Sequence, residues 1–75
     1  MLENVRYQAN FYEKVLVSLC KKDPNNRRVY YNVFRNKLSG ALDILAYDNS
    51  LTSDEYSKVC DELTNHFDEL YENIK

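Results

Sequence analysis

Catalysis or metal binding needs side chains that exchange protons, attack an electrophile, hold a cation or neutralise phosphate, and they must be spaced to act together. This chain of 75 residues offers few such sets. His66 is its single histidine, on the flank of a helical pattern with Glu62 four residues before it, a separation that allows an ordinary surface hydrogen bond. A metal or general-base role would need a second ligand or an orienting partner, and none is spaced for it. The carboxylate pairs 54/55, 61/62 and 68/69 are sequence neighbours, so on a helix they point about 100° apart and form no paired acid–base site. Cys20 and Cys60 fall at the edges of apolar stripes and read as small hydrophobic thiols. No glycine-rich phosphate loop, CxxC, HExxH or nucleophile elbow is present. The residues point away from an enzyme, and no catalytic residue, metal or cofactor is expected.

The stretch RRVYYNVFRNK, residues 27–37, is different, with four basic and three aromatic side chains in eleven positions. That mixture occurs in nucleic-acid-binding elements, where cations meet phosphates and rings stack on bases. A helix that tracks a strand needs its cations on one face. With Tyr31 at zero on a wheel, Arg28 and Arg35 fall at about 60° and 40°, Arg27 near −40° and Lys37 near −120°. The charges are scattered, so the stretch reads mainly as an amphipathic helix with basic flanks.

Three helices must carry these residues. The first is expected over about 3–22, with Val5, Ala9, Tyr12, Leu16 and Leu19 as its stripe and Phe11 and Val15 widening it. Asp23 is the expected N-cap and Pro24 the first residue of a second helix reaching about residue 47. Its front stripe is Tyr31, Phe34, Leu38, Ala41/Leu42 and Leu45. Asp48–Asn49–Ser50 reads as a turn. Thr52 and Glu55 form a capping box that opens a third helix over about 53–74, striped by Tyr56, Cys60, Leu63, Phe67, Leu70 and Ile74. One glycine, one proline and no tryptophan suit short connections rather than a sheet. The fold class expected is all-α, an up-down-up three-helix bundle forming one domain. The two cysteines would then lie on the order of 20 Å apart, too far for a disulfide.

Two surfaces remain after the core is assigned. On the second helix, Val29, Val33, Gly40, Ile44 and Tyr47 gather at about 160–220°, opposite its front stripe. Either the helix is sandwiched and needs a wide apolar arc, or this stripe is a docking surface for a partner or a second copy. On the third helix, Asp54, Asp61, Glu62, Asp68, Glu69 and Glu72 form an acidic ridge interrupted by Lys58. Either the ridge is solvated, or it imitates phosphates and occupies the basic groove of another protein.

The net charge of −2 hides a polarity. Residues 1–40 carry eight basic and three acidic side chains; residues 41–75 carry two and nine. Part of it has an internal explanation. Arg27 and Arg28 open one helix and Asp68, Glu69 and Glu72 close another, each against the local helix dipole. In an up-down-up bundle those ends meet, together with Lys21 and Lys22, and can neutralise one another; Arg28 with Glu72 is the expected pair.

The start MLENVRYQ lacks an apolar run, so no signal peptide is expected, and VLVSLC, residues 15–20, is too short to span a bilayer. An intracellular protein without membrane contact is expected. Residues 38–71, with the rhythm LTxxEYxxxxDEL around Leu51, Thr52, Glu55 and Tyr56, resemble small helical proteins of bacteriophages and other mobile elements. The resemblance covers less than half the chain. Nine asparagines and seven tyrosines are similar to the usage of AT-rich phage genomes. It implies a non-catalytic protein that binds a host protein in the host cytoplasm, as anti-CRISPR inhibitors do with acidic surfaces. A nucleic-acid-binding regulator using a basic pole of Lys21, Lys22, Arg27, Arg28 and Arg35 is the alternative, and a phage assembly accessory protein a third.

Overall fold

The computed structural model describes residues 1–74. Three helices pack side by side into a rod of 41 × 16 × 16 Å. Helix α1 spans Leu2–Lys22, α2 Arg27–Leu45 and α3 Ser53–Glu72. This is the all-α up-down-up bundle that the spacing of apolar residues demands.

The boundaries follow local chemistry. Asp23 leaves the helical region (φ −141°, ψ 73°) because the following proline ring disfavours helical backbone in the residue before it. Its amide still bonds Leu19 O at 2.9 Å and closes α1. Pro24 does not begin α2. Pro24–Asn26 form a single 3-10 turn, and α2 starts at Arg27. Asp23 also caps no backbone amide; its carboxylate accepts from Asn26 Nδ2 and the Tyr30 hydroxyl, both at 2.8 Å. The short turn brings these two donors within reach, so the expected backbone cap becomes a side-chain clasp. α2 ends two residues before the expected boundary, as the chain tightens into three-residue bonds from Tyr47 to Ile44 O and Asp48 to Leu45 O. Asp48 then accepts from the Ser50 amide at 3.0 Å and its hydroxyl at 2.7 Å. The Thr52–Glu55 capping box is formed in both directions, at 3.1 and 2.9 Å. α3 stops at Glu72 rather than 74, yet Ile74 still folds into the core.

The core holds Val5, Ala9, Leu16 and Cys20 of α1, Leu38, Ala41, Leu42 and Leu45 of α2, and Val59, Leu63 and Phe67 of α3 with Ile74. Phe67, Leu16, Leu38 and Leu45 are fully enclosed. Several stripe assignments change: Val15, Leu19 and Leu70 are only half-buried and stand outside the core. Phe11, expected to widen the α1 stripe, is 53% exposed. Val59, at the flank of the α3 pattern, is buried. Each follows from where the neighbouring helices sit, which one helix's periodicity does not specify. The two thiols are free, Cys20 buried and Cys60 half-buried. Among the described residues, no helix is long and apolar enough to cross a membrane.

Candidate interaction surfaces

The aromatic–basic stretch becomes the seam of the bundle. Arg27 donates through Nη2 to the Tyr71 carbonyl at 2.9 Å, and its guanidinium lies 4.7 Å from the centre of the Tyr71 ring. Tyr31 packs against Phe67 and Tyr71, with centroids 5.7 and 4.4 Å away. Phe34 packs against Tyr12 of α1 at 6.1 Å. The Tyr31 hydroxyl donates to Asp68 Oδ1 at 2.7 Å, and Arg35 Nε donates to the same oxygen at 3.2 Å. That bond to a carboxylate, with partial burial, pushes the Tyr31 phenol up. Arg35 also reaches Ser39 Oγ at 3.1 Å. Two of the five cations of the basic pole, Arg27 and Arg35, are therefore committed to α3. Lys21, Lys22 and Arg28 stand exposed at the end of the rod.

Charge does compensate between α2 and α3, but through different residues. Among the described residues no ion pair joins Arg28 to Glu72; the α2–α3 ion pair is Arg35 with Asp68, while Arg27 binds the backbone carbonyl and ring of Tyr71. On a helix, Arg27 and Arg28 lie about 100° apart, and only the first faces α3.

The acidic ridge divides the same way. Asp68 is held by Tyr31 and Arg35, and Glu62 is held by Arg6 of α1. The Arg6 guanidinium keeps the Glu62 carboxyl below its ordinary range. His66 pairs not with Glu62 but with Glu13 of α1, whose carboxylate raises the imidazole above its ordinary value. The α1–α3 groove of about 250 Å³ is bordered by these two pairs, with Ala9 and Leu63 on its floor. Asp54, Asp61, Glu69 and Glu72 remain on the outer face of α3, exposed and without an ion-pair partner among the described residues.

The apolar stripe of α2 is not covered by its own chain. Val29 is 56% exposed, Val33 44%, Ile44 60% and Tyr47 81%. A Cβ built on Gly40 would meet nothing within 4 Å. The sandwich explanation thus fails for this stripe: α1 and α3 occupy only the front arc of α2. Tyr7 and Phe11 of α1 are exposed as well. Periodicity places Phe11 in the core, so the sequence alone does not show it as part of a surface.

Among the described residues no group of three or more His, Cys, Asp or Glu side chains is placed to hold a metal ion. No protein-family model, curated protein or solved structure matches the chain.

Proposed function

We propose that this chain is a non-catalytic protein-interaction module. The observation that carries the reading is the uncovered apolar stripe of α2 and the turn after it: Val29, Val33 and Ile44 of the helix and Tyr47 just beyond its end are exposed, although each costs solvation there. The free carboxylates of α3 supply the character of the partner. Asp54, Asp61, Glu69 and Glu72 run along one outward strip; Glu69 and Glu72, three residues apart, repel each other by a few tenths of a kcal/mol, and a basic groove would reverse that cost. A host protein that itself binds nucleic acid presents such a groove. Together with the likeness of residues 38–71 to small phage proteins, this favours an inhibitor or regulator encoded by a mobile element and acting in the host cytoplasm.

A nucleic-acid-binding role is less well supported, because Arg27 and Arg35 are already engaged and only Lys21, Lys22 and Arg28 remain at that pole. Capture from nuclease-treated host lysate, with the wild-type chain and with Asp61→Lys/Glu69→Lys, tests the reading. A protein held by the first and released by the second is the expected result.

A further inference from the structure

We infer that the α1–α3 groove receives an arginine side chain of the protein partner, which takes the Glu13 carboxylate away from His66. This contact rests on the interaction-module reading and deepens it.

The groove holds two cavities. The first, of about 250 Å³, lies among Arg6, Ala9, Glu62, Leu63 and His66; the second, of about 300 Å³, lies among Lys14, Val17 and Leu70. Asn10 and Glu13 border both, so the two meet there. Ala9 and Leu63 are buried and Val17 and Leu70 half-buried, which leaves an apolar floor under a polar rim. Pockets for small-molecule ligands and cofactors run from roughly 300 to 1,000 Å³. Each cavity stands at or below that lower end, the size for one long side chain rather than a whole cofactor.

Glu13 decides what enters. Its side chain is only 12% exposed, and its sole ion-pair partner among the described residues is His66. A carboxylate taken this far out of water needs a compensating charge. The imidazole supplies one only below its raised pKa; above it the ring is neutral and offers at most a hydrogen bond. Arginine stays charged at every working pH, meets a carboxylate with two parallel N–H donors and stacks on flat rings. As pH rises past the His66 titration, a guanidinium therefore serves Glu13 better than the imidazole does, and the exposed His66 ring offers it a face to stack on. The alkyl stem lies on the apolar floor. The surrounding charges leave room for one more cation. On α3, Glu62 and Glu69 both act on His66; on α1, Arg6 is held by Glu62, and the exposed Lys14 makes no ion pair among the described residues. α2 contributes no residue to either cavity. With His66 neutral, the carboxylates of Glu13, Glu62 and Glu69 outnumber the permanent cations Arg6 and Lys14. Proton and guanidinium compete for Glu13, so the guanidinium lowers the His66 pKa, and its affinity rises with pH by about tenfold for each unit of that lowering.

Nuclear magnetic resonance on the whole chain reads the contact, with n-butylguanidinium as the probe and n-butylurea, an uncharged analogue of the same shape, as its control. The guanidinium should shift the His66 ring and the Leu63 and Leu70 methyl signals saturably and lower the His66 pKa. It should bind more tightly at about pH 8 than at about pH 5.5. Glu13→Gln keeps the size of the side chain and can still hydrogen-bond the imidazole, so it should remain folded; it should weaken the probe roughly tenfold or more. As bait in nuclease-treated host lysate, the same variant should lose most of the protein that the wild type captures. An equal response to n-butylurea, an unmoved His66 titration, or probe binding indifferent to Glu13→Gln overturns the inference. So does a protein captured by the wild type, lost with Asp61→Lys/Glu69→Lys and fully kept by Glu13→Gln, an outcome that leaves the interaction-module reading standing. Capture of no protein by the wild type removes that reading, and the arginine contact with it, even where the probe binds.

Discussion

Removing the Asp68 carboxylate should destabilise the fold, while removing Asp61 should not, although both belong to the same acidic row. Asp68→Ala deletes the acceptor of the Tyr31 hydroxyl at 2.7 Å and of Arg35 Nε at 3.2 Å. A hydrogen bond to a charged acceptor contributes about 1.5–3 kcal/mol when sheltered. The Asp68 side chain is 40% exposed, so about 1–1.5 kcal/mol is reasonable for the tyrosine bond. The Arg35 pair, with side chains 28% and 40% exposed, adds about 0.5 kcal/mol. Against this stands a gain of about 0.5 kcal/mol from alanine's helix propensity and from taking a negative charge out of the last turns of α3. The net cost is about 1–1.5 kcal/mol, a fall in Tm of roughly 4–12 °C for a domain of this size. Asp61→Ala has only the gains and should leave Tm unchanged or slightly higher. Urea titration and thermal melts by circular dichroism measure both. Tyr31→Phe combined with Asp68→Ala should cost clearly less than the two separate losses added together. Equal Tm values for the two alanine variants, or strict additivity with Tyr31→Phe, would refute the division of the ridge into structural and free carboxylates.

Stability should depend on pH with two limbs. Glu62 has a lowered pKa from Arg6, so its contribution is present above the ordinary carboxylate range and lost as pH falls through the lowered value. His66 has a raised pKa from Glu13, with Glu69 and Glu62 adding to it, so its contribution is full below about 6.5 and lost as pH rises through the raised value. Tm should therefore peak near pH 5–6, and His66→Gln should remove the decline just above about pH 6.5 while keeping the acid one and the later loss as Tyr31 ionises; an unchanged decline near neutrality in that variant rejects the assignment. Thr52→Ala breaks one half of the capping box and should cost about 1 kcal/mol, read as a lower urea midpoint at constant slope.

Much of the fold was legible because three and four alternate cleanly along the chain. Leu63, Phe67 and Ile74 need no neighbour to be recognised as one face, and Thr52 with Glu55 announces the start of α3 through local backbone chemistry alone. What stayed hidden depends on azimuth. A wheel shows that Val29, Val33 and Ile44 oppose the front of α2, but not whether another helix covers them. It likewise does not distinguish Arg27 from Arg28 as the partner of α3, because both flank the stripe and only the position of Tyr71 decides. Phe11 stands exposed on α1 and Val59 buried on α3 for the same reason. Asp23 was misread because a proline after it fits a helix start and a 3-10 turn equally well. Of the acidic row, periodicity gave the membership, while the division between Asp68, tied to Tyr31, and Asp61, tied to nothing, is set by side chains on another helix.

The central claim, that the free carboxylates of α3 hold a protein partner, is tested most directly by capture from nuclease-treated host lysate followed by mass spectrometry. Three baits suffice: wild type, Asp61→Lys/Glu69→Lys and Val33→Lys/Ile44→Lys. The account predicts one stoichiometric protein with the wild type and its loss with the α3 reversal, and weaker capture by the α2 variant where the apolar stripe belongs to the same contact. Equal capture by the α3 reversal would contradict the claim. So would an empty eluate that fills with nucleic acid once the nuclease is omitted, which would transfer the function to Lys21, Lys22 and Arg28.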